Sequence, residues 1–244
     1  MRSFKINWSG VKPKLLHYLA ELLVVVFGVY LGFMANNYAA ELKQKEYVNT
    51  TIKEMYQSLE EDAKDAEINK GGHLGGQKAV QYFINLSNNK SVSMDSFELY
   101  LFFVLTRSFM SIQNSSPFEA IKAKGFDVIT NDSLRKNMIK LYDFQYEGLE
   151  KLEEKYQETQ FYANEGNRIN EILAHSVLYD DDGKFIKVNL PLRIDEKDRN
   201  RLILILKRIK FNRGFIVSYY DSIIQDIQKL RKQLEKEYPF VLQK

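Results

Sequence analysis

Residues 15–40, LLHYLAELLVVVFGVYLGFMANNYAA, require surroundings other than water, and this requirement governs what the chain can fold into. Leu22–Ala35 contains no charged residue, and Leu15–Ala35 is interrupted only by His17 and Glu21. At 1.5 Å per residue, such a helix spans about the 30 Å hydrocarbon core of a bilayer. A buried helix of a soluble protein is the competing reading. The flanks favour the membrane, because Trp8, Tyr18 and Tyr38 stand near the two expected interfaces. A cleaved leader fits poorly, since Asn36-Asn37-Tyr38 is not a small-residue cleavage site.

The surface of this helix carries more information than its length. At 100° per residue, His17, Glu21, Gly28, Gly32, Ala35 and Ala39 share a sector of about 60°. Gly28 and Gly32 form a small-xxx-small pair that lets a second helix approach closely. An ionisable side chain in a span normally faces protein or water, so Glu21 on the same face strengthens a packing stripe. The alternative is that Glu21 snorkels to the interface and the glycines are incidental.

Basic residues set the expected orientation. Arg2, Lys5, Lys12 and Lys14 precede the span without an acid among them, whereas Lys43, Lys45 and Lys53 follow it mixed with Glu41, Glu46 and Glu54. The bias is small but places the N-terminus in the cytoplasm. The expected organisation is a cytoplasmic basic flank at 1–14, a transmembrane helix at 15–37 and an extracytoplasmic helical domain at 38–244. The location implied is a bacterial inner membrane with the domain in the periplasm.

The domain itself is not basic. Of 35 basic and 32 acidic residues, four basic ones and one acid fall in residues 1–40, so 41–244 holds 31 of each. A neutral domain argues against nucleic acid as a partner. The chain has no cysteine, which excludes disulfides, thiolate metal sites and a cysteine nucleophile. Four prolines and 12 glycines in 244 residues leave room for long helices and make a β-sandwich improbable on composition.

The expected fold is therefore mainly α: the transmembrane helix continues into a long helix of a helical bundle, with one small β-hairpin near 177–190. Tyr38–Asn69 lacks Gly and Pro, and its apolar residues (Ile52, Tyr56, Leu59, Ala63, Ala66) alternate four and three apart. Glu60, Glu61, Asp62, Asp65 and Glu67 read as a solvated face. Gly71-Gly72-His73-Leu74-Gly75-Gly76 reads as a flexible helix–helix connection, because no strand precedes it and no Lys-Ser/Thr follows as a phosphate loop requires. Gln77–Leu86 then forms a short helix.

Asp95 and Glu98 open the apolar stretch FELYLFFVLTRSFMSI, expected to be the central core helix; with Glu98 and Arg107 in it, a second span is the weaker reading. Ser116-Pro117-Phe118-Glu119 has the pattern of a capped helix start. Asn131 or Asp132 caps a long helix expected to reach about Val177. Asp180-Asp181-Asp182-Gly183 marks a hairpin turn, since a calcium loop would need alternating acids and a distal Glu. From Asp195 onward, Leu202, Leu206, Ile209, Ile216, Tyr220, Ile223, Ile227, Leu230 and Leu234 keep four-three spacing, with Arg213 in one apolar slot. This is one helix, or two broken near Asn212–Gly214.

Two segments resemble an uncharacterised family of single-span membrane proteins found mainly in Bacteroidota. The first is Glu21-Leu-Leu-Val-Val-Val-Phe-Gly28 followed by Asn36-Asn37-Tyr38, where the family more often has Trp at the last position. The second is Phe118-Glu119-Ala120-Ile121 through Gly125, Ile129, Asn131, Leu134-Arg135 and Tyr142. The resemblance covers about a fifth of the chain and implies a membrane-anchored helical domain, with no activity attached.

Catalysis has little support in the sequence. His17, His73 and His175 have no local ligand partner or nucleophile motif, so no catalytic residue, cofactor or metal is expected. The leading reading is a structural or interaction protein, oligomeric or an accessory subunit of an inner-membrane complex. Its partners are the lipid bilayer and either a second copy or another membrane protein, reached through the transmembrane stripe. The alternative is a sensor whose extracytoplasmic domain binds a ligand and signals laterally, since about 14 residues on the cytoplasmic side leave no output domain.

Overall fold

The structure is a computed structural model that describes the backbone of residues 11–105 and 108–243, and their side chains except at 11–16 and 102–105. Arg2, Lys5, Trp8 and Arg107, and the side chains of Lys12 and Lys14, lie outside the described residues. The chain divides into two compact units, Met1–Thr51 and Ile52–Lys244.

The protein is mainly α-helical, with one two-stranded antiparallel hairpin. The first helix, α1, is Val11–Ser87, 77 residues long. It is followed by α2 (Phe97–Leu105), α3 (Ser116–Lys124), α4 (Asp132–Ile139), the single turn α5 (Glu147–Glu150) and α6 (Asn167–Ala174). The strands β1 (Val177–Tyr179) and β2 (Phe185–Val188) precede α7, Glu196–Glu237.

In the first unit, α1 is one uninterrupted helix, long and apolar enough to cross a membrane, and none of its most apolar window is buried. Tyr18 and Tyr38 are both exposed. The expected stripe residues His17, Glu21, Gly28, Gly32, Ala35 and Ala39 are exposed as well.

The second unit is built on two antiparallel helices, α1 from Ile52 onward and α7. Their register is read from polar pairs along the seam. Tyr56 Oη donates to Glu235 at 2.8 Å, Arg231 meets Glu60 at 3.1 Å, Lys70 meets Asp221 at 2.8 Å, and Lys210 donates to Gln81 at 3.1 Å. Between these pairs run the apolar stripes. Ile52, Met55 and Leu59 of α1 and Leu202, Leu206, Ile216, Ile223, Ile227, Leu230 and Leu234 of α7 are essentially fully buried. Each such side chain contributes roughly 1.5–3 kcal/mol of transfer free energy. Leu134, Met138, Leu141 and Leu149 close the core from a third side.

Several expectations need correction. The glycine stretch 71–76 does not end a helix, because α1 runs through it to Ser87 and includes Gln77–Leu86. A Cβ at Gly72 would collide with the ring of Phe109, and one at Gly76 would lie 2.5 Å from Arg213 Nε. These glycines serve close packing rather than a turn, and the helix-weakening effect of glycine is outweighed by tertiary contact. Of the two readings left open for the last helical region, one helix or two broken near Asn212–Gly214, the structure has the first: α7 is one helix.

The apolar stretch after Asp95 is a shorter helix than expected, ending at Leu105, and residues 108–115 follow without regular structure. The helix expected from 131 to 177 is also not continuous. Asn131 caps it, accepting from Ser133 and Leu134 backbone N–H groups at 3.0 and 3.1 Å. It then alternates α turns with π-helical turns at Lys140–Tyr146 and Lys151–Lys155, and stops at Tyr156. Gln160 Nε2 and Thr159 Oγ1 take up the terminal carbonyls of Glu153, Leu152 and Tyr156. A third π turn, Tyr162–Gly166, leads into α6. At α3 the expected Ser-Glu capping box is replaced, since Asn114 Oδ1 accepts from the Ser116 N–H at 3.1 Å.

The hairpin forms as expected. Val177 pairs with Val188 and Leu178 with Lys187, and a bulge shifts Tyr179 onto Phe185. Gly183, at φ +77°, supplies the left-handed turn residue, and Asp180 Oδ1 accepts from the N–H groups of Asp182 and Lys184.

Candidate functional site

The second unit carries a layer of buried polar side chains where α1 faces α7, the segment 108–115 and the helix from 132 to 155. Asp62, Asn69, His73, Glu153 and Arg213 are all buried. A 27% charged chain can bury groups like these only if each finds a partner, since an unpaired buried charge costs several kcal/mol.

Three carboxylates hold the segment 108–115 in place. Asp62 Oδ1 accepts from the Asn114 N–H at 3.0 Å, Asp65 Oδ2 from Ser111 Oγ at 2.6 Å and the Ile112 N–H at 2.9 Å, and Glu153 Oε2 from the Ser111 N–H at 2.9 Å. A segment without helix or sheet must satisfy its backbone donors elsewhere, and here acids from two helices do so. Asp62 also accepts from Tyr146 Oη at 2.8 Å, and Glu153 Oε1 from Tyr220 Oη. Asp62 was expected on a solvated face with Glu60, Glu61, Asp65 and Glu67. Glu60, Glu61 and Glu67 are solvated, Asp65 is half-buried, and Asp62 is buried because the segment 108–115 covers it.

At the other end of the layer, Arg213 Nη1 lies 3.3 Å from His73 Nδ1. The guanidinium stacks on Phe161 at 4.5 Å and reaches Phe109 at 5.8 Å, two cation–π contacts in a desolvated setting. Burial, aided by the adjacent Arg213 charge, pushes the His73 imidazole down to about 3, so it is neutral and accepts at Nδ1. Burial pushes Arg213 down to about 10, still charged at neutral pH. Burial pushes Glu153 up to about 7 against the opposing hydrogen bonds from Tyr220 and Ser111. Asp62 is raised for the same reason.

Beside Arg213, a cavity of about 280 Å³ opens between the π turn Tyr162–Gly166 and α7, lined by Phe161, Asn164, Glu165, Arg168, Arg208 and Asn212 among others. Glu165 is buried there, with Oε1 3.0 Å from Arg208 Nη1.

Within the second unit, His73 and His175 are not brought together. His17 is exposed on α1, His73 is buried beside Arg213, and His175 is exposed at the end of α6. Among the described residues no group of three His, Cys, Asp or Glu side chains is placed to hold a metal ion. Among the described residues of the first unit, a Cβ at Gly28 or Gly32 would touch nothing within 4 Å. His17 Nε2 and Glu21 Oε1 pair at 3.2 Å, one helical turn apart. Sequence reasoning missed the buried layer. Its two signals were an arginine in an apolar slot of α7 and a histidine flanked by glycines on α1. Comparison with protein-family models, with curated proteins and with solved structures found no match.

Proposed function

We propose that the protein is a membrane-anchored structural or interaction protein, assembled through the face of α1 that carries His17, Glu21, Gly28, Gly32, Ala35 and Ala39. The supporting observation is the first unit itself. Its apolar helix is long enough to span a bilayer and unburied over its most apolar window, and it presents a His17–Glu21 contact and two open glycine positions on one side. In hydrocarbon, a His–Glu pair is best accommodated against another helix, and Gly28 and Gly32 allow the backbones to come close. The same reading places the N-terminus in the cytoplasm of a bacterial cell and the helical unit in the periplasm, either as a homo-oligomer or as an accessory subunit of an inner-membrane complex. It agrees with the single-span Bacteroidota family that the two sequence segments resemble.

The test uses the full chain in nanodiscs and in native membranes. Because the chain has no cysteine, a single Gly32→Cys is a clean crosslinking probe. Crosslinked dimers, or a specific crosslinked partner, with loss of both in Gly28→Leu, support the reading. A Gly28→Leu variant with unchanged oligomeric state and unchanged partners rejects it.

A further inference from the structure

We infer that the outer side of α7 docks an acidic amphipathic helix of a partner protein, one whose apolar seam is flanked by Asp or Glu. Two features coincide on that side of α7. One is a second line of apolar side chains at helix-packing spacing, and the other is a surface whose exposed charges are all basic from Lys197 to Lys236.

The buried side of α7 is already occupied by the core. Away from it, Leu204, Arg208, Phe211, Phe215, Ser218 and Ser222 follow one another at four-three spacing and share a sector of about 80°. All six are exposed, with Leu204, Phe211 and Phe215 at 67%, 76% and 52%. A single exposed apolar residue is ordinary on any surface. Three large ones in line with two serines form a narrow seam, the geometry that packs against one further helix.

Charge identifies that helix. Residues 41–244 are neutral as a whole, yet the charges of α7 are sorted by exposure. Its acids between Lys197 and Lys236 are half-buried and engaged within the chain. Asp198 meets Arg201, Asp221 meets Lys70, Asp226 meets Lys140, and Glu235 accepts from Tyr56. Of the exposed bases, Arg201 and Arg208 hold Asp198 and Glu165. Among the described residues, Lys197, Lys207, Lys210, Lys229, Lys232 and Lys236 have no carboxylate partner. A partner with acids beside its seam supplies these charges, and like charge repels a basic one.

Other occupants fit less well. A second copy docking through α7 would set lysines against lysines in either direction. A bilayer surface takes up a broad apolar sector, whereas Asn200, Lys207 and Lys229 stand on the same side as Phe211. Nucleic acid would engage the lysines through phosphate and leave the two phenylalanines without a role.

The experiment measures binding to the full chain in nanodiscs of zwitterionic lipid. The probes are a designed helix with Leu at a and d and Glu at e and g, its counterpart with Lys at e and g, phosphatidylglycerol vesicles and duplex DNA. The Glu helix binds at least about tenfold more tightly than the Lys helix, and added salt weakens it. Phe211→Ser with Phe215→Ser weakens it by about tenfold or more, and Lys207→Glu weakens it as well. These side chains are exposed, so the variants fold as the parent does, and the α1 face is untouched. Failure here therefore leaves the assembly reading of α1 standing. No binding of the Glu helix, equal binding of the Lys helix, or binding that survives the double phenylalanine variant overturns the proposal. So does tighter binding of the vesicles or of DNA through the same two phenylalanines.

Discussion

Arg213 donates to Nδ1 of His73 across 3.3 Å in the interior of the helical unit. Two basic side chains can share a core only if one is neutral, and burial beside the guanidinium makes His73 the neutral one. Truncation by Arg213→Ala removes both the stacking on Phe161 and the donor to His73. The expected loss is about 3–5 kcal/mol of unfolding free energy. Arg213→Lys should recover little, because an ammonium has no planar face to stack. Urea denaturation of the two variants checks this, and a lysine variant as stable as the parent would contradict the stacking account.

Gly71 and Gly72 are adjacent in sequence and opposite in consequence. At Gly71 a Cβ meets nothing within 4 Å, so Gly71→Ala is expected to stabilise α1 by about 0.5–1 kcal/mol. At Gly72 a Cβ collides with Phe109, and Gly72→Ala should destabilise by about 1–3 kcal/mol. Opposite shifts in melting temperature for the pair are the expected observation.

Much of this architecture is legible in the residues. The four-three spacing from Ile52 to Ala66 and from Leu202 to Leu234 specifies two long packed helices, and Asp180–Gly183 specifies the hairpin, as observed. The buried layer is not legible, for a physical reason. Whether Asp62 faces water depends on a segment fifty residues away, and local spacing carries no such information. Gly72 and Gly76 mislead in the same way, because a turn and a close packing contact use the same residue. The cavity at Glu165 depends on a π turn, which shifts side chains off the 3.6-residue period that sequence reading assumes.

Glu153 and His73 give the unit opposing pH responses. Glu153 has a folded-state value near 7, raised from 4.5, so its contribution is fully present below about pH 4.5 and is lost as pH rises towards 7. His73 is depressed to about 3 from 6.5, so its contribution is present above pH 6.5 and is lost as pH falls. In Glu153→Gln the histidine response and that of the raised Asp62 remain, and both are common to parent and variant. The difference in stability between parent and variant should therefore change by roughly 2–3 kcal/mol between pH 4.5 and 7.5, moving in favour of the variant as pH rises. Chemical denaturation across that range measures it, and a flat difference would contradict the assignment.

Asp62 and Tyr146 are coupled through a 2.8 Å bond, buried on both sides. Asp62→Ala also releases the Asn114 N–H and should cost about 2–4 kcal/mol. Tyr146→Phe should cost about 1–2 kcal/mol. The double variant should lose less than the two losses combined, by about 1 kcal/mol or more, because both single changes break the same bond. Additive losses would show that the two side chains act independently.

The π turns at Lys140–Tyr146 and Lys151–Lys155 give this helix a count of residues that does not match its count of turns. Each wide turn absorbs about one residue beyond an α-helical turn, so it resets the angular phase of everything that follows it by about 100°. Tyr146 at the end of the first and Glu153 inside the second are thereby aimed at Asp62 and Tyr220. A single-residue deletion at Phe144, an exposed site inside the first wide turn, would leave the hydrophobic content almost unchanged. It would nevertheless rotate Glu153 away from the segment that it pins. The length of this helix, residue by residue, is thus as much a part of the buried layer as the acids that form it.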